Sequence, residues 1–219
     1  MSIAQNLQEV KTACQPLTLV AVSKFHPAAL VQEAYDAGQR IFGESRVQEL
    51  LEKQQCLPQD IAWHFIGHLQ PNKVKYIAPF ISLIHAIDTP KLLAEVNKQG
   101  AKCGRVIPVL LQLHIATEET KFGFSPDELD AYLASLQWRE YTNVQISGIM
   151  CMASNVEDEA QIAAEFDKAH QYFLHAKALY FKDSPDFATC SWGMSGDFPI
   201  AMQHGSTMVR VGTRIFGAR

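Results

Sequence analysis

Long hydrophobic runs are missing from this 219-residue chain: none approaches the ~20 residues that cross a bilayer as a helix, which excludes a helical membrane span. The opening MSIAQNLQEVKTAC lacks a basic leader followed by an apolar stretch, and Ile3, Leu7, Val10 and Cys14 recur at helical spacing instead. A mature, cytoplasmic chain is the expectation. Cysteine is sparse, with five residues (14, 56, 103, 151 and 190), an odd number, widely scattered and without a CxxC pair. That pattern excludes a disulfide framework and predicts reduced thiols. Clustered positive charge is also absent; with a net charge of -4 and no Lys/Arg stripe, nucleic-acid binding is disfavoured. There is no Walker loop and no dinucleotide fingerprint. No Pro/Gly/Ser-rich linker or internal repeat divides the chain, so residues 1–219 read as one domain.

What the chain does have is a mean hydropathy of -0.05, 47% hydrophobic residues, and a regular alternation of apolar runs with amphipathic segments. The runs cover 17–24, 40–45, 62–67, 82–88, 105–115, 144–152, 187–194 and 207–217. Helical patterns lie between them, at Pro27 to Ala37, Thr89 to Lys98, Pro126 to Leu136 and Glu157 to Ala178, and the prolines fall at first helical turns. Strands apolar on both faces, each followed by a helix, predict a parallel sheet covered on both sides. Eight such units predict a closed (β/α)8 barrel, a TIM barrel. Few residues follow the eighth run, so the expectation is an extra N-terminal helix, residues 2–14, in the place of the eighth outer helix.

Chemistry in such barrels sits where strands end. Lys24 is at the end of the first apolar run, on the face of Val20 and Val22 by alternation. It is either a solvated strand-end lysine, its stem covering apolar surface, or an amine held over an interior face, which is costly unless paired, neutral or covalently used. The segments WGMSGD and STMVRVGTRIFG follow strands seven and eight, where barrels bind phosphate through backbone N–H groups. Ser195 and Thr213 add hydroxyls, and Gly196 and Gly212 permit close approach. Arg210 shares its face with Met208 and Gly212; unless it faces the surface, it demands an acceptor, for which a bound ligand is the sharper explanation. An amine facing a phosphate cradle fits a phosphorylated aldehyde, and pyridoxal 5'-phosphate (PLP) is the cofactor of that description. A metal site is not expected: His64 and His68 sit on a strand running into a turn, and His170 and His175 diverge on a helix.

The motifs AVSKFHP, AGQRIFGESRVQEL, WHFIGHLQPNK, HAID, TKFGF, SGIM, GMSGDFPIA and GSTMVRVGTRIFG, in this order, resemble the pyridoxal phosphate homeostasis protein family, also called YggS or PROSC, which is related to the barrel domain of alanine racemases. The resemblance implies a single-domain barrel of PLP fold type III, with PLP held as a Schiff base (an internal aldimine) on Lys24. It implies phosphate contacts from Met194 and Ser195 and from Gly212 and Thr213, with Arg210 near the pyridine ring. Ser45 stands where the family usually has Asn, and Pro71 where small or polar residues are common. The implied function is regulation of vitamin B6 and of amino-acid and keto-acid balance without established catalysis, with PLP and apo-enzymes that require it as partners; one barrel without an obvious exposed apolar helix makes a monomer the expectation. The rival reading is a small amino-acid racemase, which needs a second base that alanine racemases take from a further domain and a partner subunit. An aldolase acting through the same lysine lacks a clear paired general acid.

Overall fold

Each apolar run becomes one strand, shorter than the hydrophobic pattern suggests. The computed structural model describes residues 2–118 and 122–218; Thr120 and Lys121 of the TKFGF motif lie outside them. Helix α1 (Ile3–Cys14) precedes β1 (Thr18–Val22), α2 (Ala28–Asp36), β2 (Ile41–Glu44), α3 (Val47–Cys56), β3 (Ala62–Phe65) and α4 (Val74–Ile77). There follow β4 (Leu83–Ile87), α5 (Pro90–Cys103), β5 (Ile107–Gln112), α6 (Pro126–Ala134), β6 (Val144–Met150) and α7 (Glu159–Tyr180). The series ends with β7 (Thr189–Ser191), α8 (Phe198–Gln203), β8 (Met208–Val211) and α9 (Thr213–Phe216). All strand pairs are parallel, and β1 closes on β8 with Leu19 opposite Val209 and Val20 opposite Arg210. The result is the expected closed barrel.

Strand alternation divides the core in two. Leu19, Phe42, Trp63, Val109, Ile149 and Val209 face outward beneath the helices, while Val20, Leu83, Leu110, Met150 and Met208 form a separate apolar cluster within the barrel. Local signals set the helix ends. Thr89 caps α5 through Leu92 N–H ahead of Pro90, and Gly104 ends it in the left-handed region at φ 63°. Ser125 and Glu128 form a reciprocal capping box at α6.

Two of the shortened boundaries bear on the site. Residues 213–216, expected as strand, form α9, because β8 ends at Val211. A Cβ at Gly212 would lie 2.9 Å from the Val22 carbonyl oxygen, so glycine lets β8 approach β1 here and turn. Helix α1 fills the place expected of it: it packs on β1, α2, α8 and α9, burying Leu7, Val10 and Cys14. Its Asn6 side-chain amide donates to the Ile215 carbonyl at 3.0 Å. The other departure is at β1, which stops at Val22 and leaves Lys24 two residues beyond, in a turn.

Candidate functional site

All seven residues singled out from the sequence lie at the C-terminal end of the barrel: Lys24 after β1, Ser45 after β2, Met194 and Ser195 after β7, Arg210 in β8, and Gly212 and Thr213 after it. Lys24 is half-buried. Gly212 packs on Val22, which brings the β8 turn to the strand end from which Lys24 departs. The β7 and β8 turns are joined directly, since the Gly212 N–H donates to Ser195 Oγ at 3.1 Å. Within the β7 turn, the buried Asp197 carboxylate accepts the Met194 N–H at 2.5 Å and fixes the loop. A Cβ at Gly196 would meet no atom within 4 Å, so this turn opens onto free space.

Arg210 is buried inside the barrel, and its neighbours are protein oxygens. It donates to the Ser191 carbonyl and hydroxyl at 2.7 Å each and to the Cys151 carbonyl at 3.0 Å. Among the described residues no carboxylate forms an ion pair with it. Of the five guanidinium N–H groups, these bonds use three, which leaves two for another acceptor. Burial lowers its pKa, yet the guanidinium keeps its charge at working pH.

Sequence reasoning missed what continues from Arg210. Ser191 Oγ lies 3.0 Å from His85 Nδ1, and His85 Nε2 lies 3.0 Å from His64 Nδ1, both rings buried. The guanidinium can only donate, so the donor-to-acceptor order along these contacts runs Arg210 to Ser191 to His85 to His64, with both imidazoles neutral. Burial holds His64 at about 4, and it depresses His85 well below the usual range, assisted by the Arg210 charge and by the repulsion that protonating both rings would bring. The only sequence signal was a histidine in each of two otherwise apolar runs, WHFIG and HAID.

His68, in contrast, leaves the barrel: its Nδ1 is 2.7 Å from Asp88 Oδ2 and its ring stacks on Phe122. Ser45 lines a cleft of about 510 Å³ with Arg46, His68, Lys73 and Tyr76. No group of three or more His, Cys, Asp or Glu side chains among the described residues is placed to hold a metal ion.

Comparison with known proteins covers the whole chain. A family profile described as "Alanine racemase, N-terminal domain" matches residues 1–219. The pyridoxal phosphate homeostasis protein of Escherichia coli (strain K12) is 37% identical, the alignment covering 99% of this chain and 97% of that protein. Its counterpart in Aquifex aeolicus is 34% identical, covering 99% and 96%. Among solved structures, PipY of Synechococcus elongatus PCC7942 with PLP bound superposes with a TM-score of 0.87 at 35% identity, covering 99% of this chain and all of that one.

Proposed function

The chain belongs to the pyridoxal phosphate homeostasis protein family, and from that premise we propose that it holds PLP at the C-terminal rim of its barrel and regulates the supply of that cofactor without a reaction of its own. Bound, PLP supplies a phosphate, a pyridine ring and an aldehyde, whose carbon forms a C=N bond with a lysine nitrogen as water leaves. Two observations support the fit. The linked β7 and β8 turns, open at Gly196, offer the Ser195 and Thr213 hydroxyls and backbone amides to a phosphate. Behind them, Arg210 is a buried cation that forms no ion pair among the described residues, feels the Asp197 carboxylate only at longer range, and has N–H groups to spare.

The observation that carries the reading is this buried cation at the foot of an open glycine rim, at the strand end from which Lys24 departs. Lys24 would hold the aldehyde carbon; the Ser195 and Thr213 hydroxyls the phosphate, joined by the Met194 and Gly212 amides once these leave Asp197 and Ser195 Oγ; Arg210 the ring side, with Ser45 at the adjoining rim. A guanidinium beside a pyridine nitrogen leaves that nitrogen unprotonated, and an unprotonated ring withdraws electrons weakly. Retention of the cofactor is favoured over turnover. Of the exposed large apolar side chains, Val106 and Leu179 line one cleft, while Phe25, Tyr76 and Phe122 lie outside it; a monomer is proposed, and five free thiols suit a reducing, cytoplasmic compartment. Among the described residues no helix is long and apolar enough to cross a membrane. Incubating the PLP-loaded protein with L-alanine in deuterated water and following α-proton loss by NMR tests the proposal. Exchange no faster than with free PLP is expected, and enzyme-like turnover would overturn it in favour of a racemase.

A further inference from the structure

Behind the Lys24 turn lies a buried ionic cluster that neither the fold nor cofactor contact explains. Lys53 of α3 is only 4% exposed although it is a lysine in a polar helix. Its ammonium donates to Glu44 Oε1 at 2.6 Å, to Glu49 Oε1 at 2.7 Å and to the Ser23 carbonyl at 2.7 Å. All three of its protons are thus committed. The same Glu49 oxygen accepts the Phe25 N–H at 2.5 Å, and the same Glu44 oxygen accepts the Ser23 hydroxyl at 2.6 Å. The residues on either side of Lys24 are therefore tied to one cation, through the carbonyl before it and the amide after it. Phe25 sits at φ 68°, in the left-handed region that costs a non-glycine residue energy and persists only when its surroundings impose it.

We propose that Lys53 is a positioning residue for Lys24: the Glu44–Lys53–Glu49 cluster clamps both flanks of the turn and fixes the direction in which the Lys24 side chain leaves the backbone. The inference rests on the cofactor reading above for its consequence, though not for its geometry. A swivelling amine meets a fixed aldehyde carbon less often, whereas the phosphate and ring contacts come from β7 and β8 and are indifferent to the clamp.

The test compares the wild type with Lys53→Met, which keeps length without charge, and with Glu49→Ala, a less buried site that removes the Phe25 arm together with one of the three Lys53 acceptors. Three quantities are read: the rate of covalent capture of PLP, from the rise of visible absorbance; the affinity for pyridoxine 5'-phosphate, which has phosphate and ring but no aldehyde, by calorimetry; and exchange of the Phe25 amide in the protein without cofactor, by NMR. Capture about tenfold slower or more, pyridoxine 5'-phosphate affinity within about threefold, and Phe25 exchange about tenfold faster are expected in both variants. Unchanged capture, an equal loss for both ligands, or unchanged Phe25 exchange overturns the proposal. Should Lys53→Met fail to fold, Glu49→Ala decides by the same criteria. A wild type that captures PLP elsewhere than on Lys24 defeats the cofactor reading alone, and Phe25 exchange then decides the clamp by itself.

Discussion

Acidification should weaken this protein through the histidines inside its barrel, and His64 allows the loss to be calculated. In the folded chain its pKa is about 4, because burial disfavours the imidazolium, against 6.5 when unfolded. Between those values the unfolded chain binds a proton that the folded chain refuses, so unfolding gains with each step down in pH and stability falls. At about 1.4 kcal/mol per pH unit, going from pH 7 to pH 5 costs about 2 kcal/mol at this one site. The chain from Arg210 works in the same direction as burial: His64 Nδ1 is the acceptor for His85, and a proton there removes the acceptor. The assay is urea unfolding of the protein without cofactor at both pH values, for the wild type and for His64→Asn, whose side-chain oxygen accepts at the Nδ1 position and does not titrate. The wild type should lose about 2 kcal/mol more than the variant. Glu44, whose carboxyl is raised by burial, acts with the opposite sign, and the difference between the two proteins cancels it. Equal losses in the two would refute the claim that a neutral, buried His64 is part of the fold.

Two further expectations concern packing. Leu7 of α1 is 1% exposed, and Leu7→Ala should cost about 3 kcal/mol in urea unfolding if α1 completes the outer ring; a cost below 1 kcal/mol would make the helix an appendage. At Gly67, a Cβ would lie 2.8 Å from Ser45 Cα, so Gly67→Ala must push apart the loops after β2 and β3. It should destabilise by roughly 1 to 3 kcal/mol, and a thermal melt unchanged from the wild type would show that the two loops do not constrain each other.

The barrel was legible because its strands are buried on both faces, so each reads as a continuous apolar run, and because prolines such as Pro90 and Pro126 mark the first turns of the helices between them. Lys24 and Arg210 stood out as charges within such runs. Other features have no local signature. TRIF is apolar enough for strand or helix, and only the Gly212 turn and the Asn6 contact from α1 decide between them. His85 and Ser191 are 106 residues apart and meet because the sheet closes. Arg210 called for an acceptor, but three of its donors go to carbonyl and hydroxyl oxygens whose positions depend on β6 and β7. Lys53 belongs to VQELLEKQQC, a polar stretch that reads as surface; its burial comes from Glu44 on the neighbouring strand and from the Lys24 turn above it.

The central claim is that Lys24 carries the cofactor, and its most direct test is chemical. Protein loaded with PLP should absorb visible light, lose that band on borohydride reduction, and yield on peptide mass mapping a pyridoxyl phosphate adduct on the peptide containing Lys24, with none on Lys53. A protein that takes up no PLP, or an adduct on another lysine, would contradict the account.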